Sequence, residues 1–139
     1  RRSLAILFAS VALGACGDSG RTAMQDGRPP GPYLMTLETA PAQPQAGAST
    51  ALTTRITQRA TATPPQNLQV LHERLVHNFI VNLDFSSFAH IHHEDFAPLT
   101  ASDIHSATLH FPYTFLRPGH YRMVSEFTHE QRSWTKHFD

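Results

Sequence analysis

Histidine is the residue type in this sequence that is best placed to do chemistry. The chain has 10 histidines in 139 residues, and residues 84–93 read D-F-S-S-F-A-H-I-H-H. Within that run His90 and His92 are two residues apart, so on an extended strand both imidazoles project from the same face. Imidazole is a ligand that suits zinc, copper, iron and nickel. The spacing therefore predicts part of a transition-metal site.

The third candidate ligand, His77, lies on the apolar segment just before this run. Residues 76–83 alternate as a strand does, and His77 falls on the face with the more apolar companions. On such a face a histidine is either a hydrogen-bonded core residue or a ligand, and the sequence leaves both open. Adjacent antiparallel strands lie about 4.8 Å apart, so a histidine on one strand can converge with an alternating pair on the next. His77, His90 and His92 are therefore the predicted ligands of one copper or zinc ion.

The other positions around this metal stay open at the level of sequence. Three imidazoles suit Cu(II) or Zn(II) with one open coordination position, and either His72 or His129 could be a fourth ligand. Asp84 could orient an imidazole by accepting a hydrogen bond from its second nitrogen. His93 faces the other way on the strand pattern and is expected outside the site. The sequence has no Met-rich motif, which argues against a dedicated Cu(I) carrier.

Short alternating segments must position these histidines. Each segment is bounded by Pro, Gly or polar residues, and residues 33–139 show no convincing helical period. The pattern predicts seven strands, at residues 33–39, 50–58, 76–83, 88–93, 105–115, 121–129 and 134–138. Residues 69–74 fit either a strand end or a short turn. The sequence therefore predicts an all-β fold, an antiparallel β-sandwich.

The N-terminal residues follow the order of a secretory signal. Arg1 and Arg2 precede an apolar run at residues 4–13, then small residues and Cys16, the only cysteine. The run is too short for the roughly 20 residues of a membrane-spanning helix. The tetrapeptide L-G-A-C that ends at Cys16 resembles the lipobox of bacterial lipoproteins. That resemblance implies a signal peptide at residues 1–15 and a lipid anchor on the cysteine.

The rest of the chain divides into a tether and one domain. Residues 16–32 are rich in Gly, Asp, Arg and Pro and have too few apolar residues to fold, which predicts a flexible tether. Residues 33–139 are the predicted sandwich domain. A formal net charge of +0 offers no basic surface for nucleic acid or anionic lipid. One cysteine excludes an intramolecular disulfide.

Residues 70–127 carry L-H-E-R-L-V-H, then D-F-S-S-F-A-H-I-H-H, then F-x-Y-x-F-x-R-P-G-H-Y-R. With this pattern they resemble bacterial envelope domains of the YtkA-like kind, which are small immunoglobulin-like sandwiches often found beside copper-handling proteins. The sequence departs from these relatives at His93, where they usually carry proline. The resemblance implies an immunoglobulin-like sandwich of about seven strands in the cell envelope, with metal binding and no established catalysis. The residues that match the family pattern are His77, Asp84, Phe88, His90, His92, Phe115, Pro118, Gly119 and Tyr121.

No catalytic motif accompanies the candidate metal site. Nucleophile-elbow, HExxH, P-loop and GxGxxG patterns are all missing from the sequence. Ser86 and Ser87 near His90 are ordinary turn residues rather than a nucleophile with its base. The sequence therefore predicts a non-enzymatic, lipid-anchored envelope protein that binds copper or zinc. The alternative is an interaction or assembly module of the envelope with structural histidines, which an exposed apolar patch would favour.

Overall fold

The computed structural model of the chain describes residues 21–22 and 31–139. The predicted signal peptide at residues 1–15 and the predicted lipidation site Cys16 lie outside the described residues. Besides strands, the described part contains a single 3-10 turn at His93–Asp95 and a short helix α1 at Ala101–Ser106. No helix of this part is long and apolar enough to cross a membrane. The strands are β1 (Arg21–Thr22), β2 (Tyr33–Ala40), β3 (Ser49–Gln58), β4 (Val76–Asn82), β5 (Phe88–Ile91), β6 (Thr108–Thr114), β7 (Tyr121–His129) and β8 (Arg132–Phe138).

The strands form two antiparallel sheets. One has the order β1-β2-β3-β6 and the other β5-β4-β7-β8. The chain changes sheet between β3 and β4, returns between β5 and β6, and changes again before β7. Counted from β2, the third, sixth and seventh strands are β4, β7 and β8. These three strands share a sheet, as the corresponding strands do in an immunoglobulin-like sandwich. The predicted all-β sandwich of about seven strands is confirmed.

The core lies between the two sheets. Alternate residues along each strand point inward, as expected for two sheets packed face to face. One sheet contributes Met35, Leu52 and Leu109, and the other contributes Ile80 and Phe127; each is at most 1% exposed. On β6 the side chains that face the core are Leu109 and Phe111, at 1% and 2% exposure.

The two faces of β4 are reversed relative to the sequence interpretation. Asn78 and Ile80 point into the core and are 0% and 1% exposed, while His77 points to the outer face of the sheet. The Ser125 hydroxyl donates to Asn78 Oδ1 over 2.7 Å, and this bond satisfies the oxygen of the buried amide. His77 is only 9% exposed, yet it lies outside the core that the two sheets enclose, so of the two alternatives the structure leaves the ligand. The apolar companions of this histidine cover the outside of the sheet.

The helix α1 replaces the start of the predicted strand at residues 105–115. Thr100 Oγ1 accepts from the Asp103 amide over 3.1 Å, and Asp103 Oδ2 accepts from the Thr100 amide over 2.8 Å. This reciprocal capping box satisfies two amides that the first helical turn leaves without partners. The prediction of no helix in the domain is wrong on this point. The T-x-x-D spacing at residues 100–103 is the signal that indicates the helix.

Contacts of the sandwich reach into the segment predicted as a tether. The two-residue strand β1 pairs with β2. The Pro32 carbonyl accepts from the Arg59 amide over 2.7 Å, and the Gly31 carbonyl accepts from the Arg59 side chain over 3.1 Å. The described structure therefore places part of residues 16–32 against the domain.

Candidate metal centre

The three predicted ligands converge on the outer face of the second sheet. His77 lies on β4, His90 on the neighbouring edge strand β5, and His92 just beyond the end of β5. The register pairs Asn78 with Ile91, which places His77 across from His92 and diagonal to His90. His77 Nδ1 is 3.2 Å from His90 Nε2 and 3.1 Å from His92 Nε2. His90 Nε2 and His92 Nε2 are 3.1 Å apart, so the three nitrogens form a nearly equilateral triangle.

Two of the three imidazoles have their tautomers set by neighbouring acceptors. His77 Nε2 lies 3.1 Å from the Leu71 carbonyl oxygen, and His92 Nδ1 lies 2.9 Å from Asp95 Oδ2. A carbonyl or a carboxylate only accepts, so each of these ring nitrogens carries the proton. In a neutral imidazole the other nitrogen then holds a lone pair. His77 Nδ1 and His92 Nε2 therefore present lone pairs to the same point.

The third imidazole, His90, is positioned by stacking. Its ring lies 4.3 Å from the Phe79 ring, with an angle of 18° between the planes. Loss of hydration against these neighbours lowers the pKa of His90, and the nearby His92 and His77 lower it further. The Asp95 carboxylate raises this pKa but does not reverse the shift. The lowered pKa of His90 favours the neutral imidazole, which is the form that can bind a metal.

The triangle of nitrogens has the dimensions of a three-histidine metal site. Imidazole nitrogens lie about 2.0–2.1 Å from Zn²⁺. A triangle with sides of 3.1–3.2 Å is small enough for His77, His90 and His92 to hold one such ion together. His77 and His92 both turn lone pairs inward, so either a cation or a proton on His90 Nε2 must lie between them.

The carboxylate that orients a ligand is Asp95, and the prediction of Asp84 is wrong. Asp84 Oδ1 accepts from the Ser86 amide over 2.8 Å, in the β4–β5 turn at the other end of the hairpin. Asp95 Oδ2 accepts from both the amide and Nδ1 of His92, over 2.8 and 2.9 Å. A 3-10 turn brings residues three apart onto the same side. The H-x-x-D spacing at residues 92–95 is the signal that identifies this carboxylate.

Asp95 is held in its ionised form by two cationic or donating neighbours. Burial raises the pKa of this carboxyl, but the hydrogen bonds from His92 and the charge of Arg74 outweigh burial, and the pKa is lowered. Arg74 Nη2 lies 3.3 Å from Asp95 Oδ1, the oxygen that does not contact His92. An ionised carboxylate makes the imidazole it contacts a stronger metal ligand.

Three further histidines were considered near the site, and the structure places one of them beside it. His93 is 6% exposed, and its Nδ1 lies 2.6 Å from the His110 carbonyl oxygen, so it is outside the site as expected. His129 contacts the Tyr33 hydroxyl through Nδ1 and the Gln66 carbonyl through Nε2. The ring centroid of His72 lies 6.4 Å from that of His77. Of the two candidates for a fourth ligand, His72 is the one beside the site.

Replacing Asp95 with asparagine should lower metal affinity by about 10–100-fold, the usual cost of removing a partner of a ligand imidazole. The amide keeps the size of the side chain but removes the charge that supports His92 and pairs with Arg74. Competition titration against a chelator of known affinity measures the change. Asp84→Asn is the matched control and should bind metal as the unaltered protein does. Equal affinities for the two variants would remove Asp95 from the site.

Fold and site together define a class: an immunoglobulin-like β-sandwich with three imidazoles converging on the outer face of one sheet. Residues 30–139 match the family model described as a domain of unknown function, DUF8832, and the chain belongs to that family. No curated protein and no solved structure matches the chain. The function must therefore be argued from the geometry of this site.

Proposed function

We propose that this protein binds one transition-metal ion through His77, His90 and His92. The observation that carries the proposal is the triangle of ring nitrogens with sides of 3.1–3.2 Å. The Leu71 carbonyl and the Asp95 carboxylate each accept a hydrogen bond from the outer nitrogen of a ring. The inner nitrogens of His77 and His92 therefore direct lone pairs toward the centre of that triangle. Among the described residues, this trio is the group in which three potential metal ligands come together. The proposed role is binding, with no catalytic reaction assigned.

The ligand chemistry favours a borderline divalent ion, with copper placed ahead of zinc. Three neutral imidazoles suit both Cu(II) and Zn(II), and a given nitrogen site generally binds Cu²⁺ more tightly than Zn²⁺. Cu(I) prefers thioether and thiolate sulfur. The two methionines in the described part of the chain, Met35 and Met123, are buried in the core at 0% and 4% exposure, so neither of these sulfurs faces the site. The site is therefore proposed for the oxidised copper ion or for zinc.

A metal titration tests the proposal directly. The purified chain should carry Cys16→Ser, because this position holds the only thiol and thiolate also binds both metals. We expect one Cu(II) or Zn(II) ion per chain in calorimetry with a competing chelator. The Cu(II) form should show imidazole nitrogens in its electron paramagnetic resonance spectrum. Absence of binding above the competing chelator would overturn the proposal.

We further propose that the sandwich is lipid-anchored in the cell envelope. The order of charged, apolar and small residues before Cys16 supports this proposal. Cys16→Ser should move the protein from the membrane fraction to the soluble fraction and remove incorporated lipid label. A chain that stays in the membrane fraction after this substitution would contradict the anchor. The metal proposal does not depend on this result.

Metal affinity should be constant above about pH 7.5 and fall steeply below about pH 6.5, because protonated imidazole cannot ligate a metal. The lowered pKa of His90 means that this ligand keeps its lone pair at neutral pH. Titrations at a series of pH values, each with a competitor of known affinity at that pH, measure the profile. An affinity that is unchanged down to about pH 5 would exclude imidazole ligands.

One observation supports the alternative role as an interaction or assembly module. The β4–β5 hairpin exposes Leu83, Phe85 and Phe88, at 45%, 85% and 66%. Grouped apolar side chains of this kind are typical of a protein contact surface. This role predicts a complex in solubilised membranes that Phe85→Ser disrupts and that substitution of the site histidines leaves intact. A protein that migrates as a monomer with or without Phe85→Ser would exclude it.

A further inference from the structure

The segment just before β4 is a strained two-residue turn. The amide of Leu71 donates to the Arg74 carbonyl over 2.9 Å, and the amide of Arg74 donates to the Leu71 carbonyl over 3.0 Å. The two residues between them both have positive φ, 48° at His72 and 66° at Glu73. Turns of this kind strongly favour Asn-Gly, since a Cβ is disfavoured in the left-handed region. Backbone strain of this type is concentrated at functional sites.

This turn is fastened to the candidate metal centre at two points. The Leu71 carbonyl, at the base of the turn, also accepts from the Nε2 of His77 over 3.1 Å. Arg74, at the other side of the base, reaches Asp95 Oδ1 over 3.3 Å, while the second oxygen of Asp95 holds His92. The turn therefore contacts the supports of two ligand imidazoles. One of its two central residues, His72, lies beside the ring of His77.

The side chain at the apex of the turn is an imidazole that lies beside one of the three candidate ligands. The ring of His72 is exposed and lies edge-on to the ring of His77, with centroids 6.4 Å apart and planes at 79°. It follows Leu71 in the chain, so its backbone is one residue from an atom that contacts a ligand ring. Rotation about its two side-chain torsions moves its nitrogens by several ångströms without moving the backbone.

We propose that His72 supplies the fourth ligand of the bound ion. On metal binding its side chain rotates on the fixed turn and occupies the corner that His77, His90 and His92 leave open. The ion is then held by four imidazole nitrogens, a set that suits Cu(II) or Zn(II), and is closed off from solvent on the side of the turn. The inference rests on the proposed metal binding. The sequence leaves the fourth ligand open between His72 and His129, and this inference selects His72.

The test compares the Cu(II) forms of the unaltered protein and the His72→Asn variant. Pulsed electron paramagnetic resonance should count four imidazoles in the unaltered protein and three in the variant. Affinity should fall by at least about tenfold, the lower bound seen for outer partners of ligands. His120→Asn is the matched control, an exposed loop histidine at the opposite end of β4, and should change neither result.

A stability measurement separates a ligand from a structural residue. Asparagine tolerates positive φ better than histidine does, so the metal-free His72→Asn variant should melt at the same temperature as the unaltered protein or higher. A purely structural His72 would instead lower the melting temperature and leave the imidazole count unchanged. If the unaltered protein binds one ion through three imidazoles and His72→Asn binds it equally well, the fourth ligand is overturned and the three-histidine site stands. If the unaltered protein binds no ion, the proposed function itself fails.

Discussion

Replacing His90 and His92 together with alanine should abolish binding of Cu(II) or Zn(II) and leave the sandwich folded. Structural zinc sites with four ligands bind with roughly 10–16 kcal/mol, or about 3 kcal/mol for each ligand if shared evenly. Loss of two ligands should therefore lower the affinity by about 10⁴-fold. The fold should survive because His90 is exposed and both side chains lie on the outer face of the second sheet, away from the core.

Calorimetry with a competing chelator measures this loss, and near-ultraviolet circular dichroism checks that the aromatic packing is intact. The matched control is a double variant with His105→Ala and His120→Ala, which removes the same number of imidazoles from exposed positions outside the triangle. The control should bind one ion as tightly as the unaltered protein. A site variant whose affinity stays within tenfold of the control would place the metal elsewhere.

The sandwich could be predicted because its strands alternate clearly, but the direction of each strand face could not. Alternation in residues 76–83 shows that β4 has two faces, one with His77 and one with Asn78. Apolar content suggests that the His77 face is the core, and the structure reverses this. Asn78 is buried because it meets Ser125, a residue 47 positions later in the chain. Such a pairing is fixed by tertiary packing and leaves no local signal.

Some residues of the candidate site could likewise be predicted from local spacing, while others depend on contacts between distant parts of the chain. The spacing of His90 and His92 predicts that they share a face, and the structure places both nitrogens 3.1 Å apart. The approach of His77 depends on the register between β4 and β5, which alternation does not determine. Choosing His72 over His129 as the nearby histidine requires knowing where two loops lie. Asp95 is different, since its local spacing from His92 could have identified it.

Loading the site should raise the melting temperature by about 10 °C. An ion present at 100 times its dissociation constant stabilises the folded state by about 2.7 kcal/mol if the unfolded chain does not bind it. A domain of about 110 residues gains roughly 4 °C or more for each kcal/mol. Metal binding should stabilise the folded state in particular, because the ligands come from β4, β5 and the segment after β5. They come together only when β5 is paired with β4.

Differential scanning calorimetry with and without Zn(II) measures this shift, and a chelator should reverse it. Hydrogen exchange should slow most in Phe88–Ile91, because this four-residue edge strand is hydrogen-bonded to β4 alone in the described sheet. The variant with His90→Ala and His92→Ala should show neither effect. An ion that binds without raising the melting temperature must be held equally well by the unfolded chain. Three imidazoles brought together only by strand pairing cannot bind in that way, so such a result would place the metal outside this triangle.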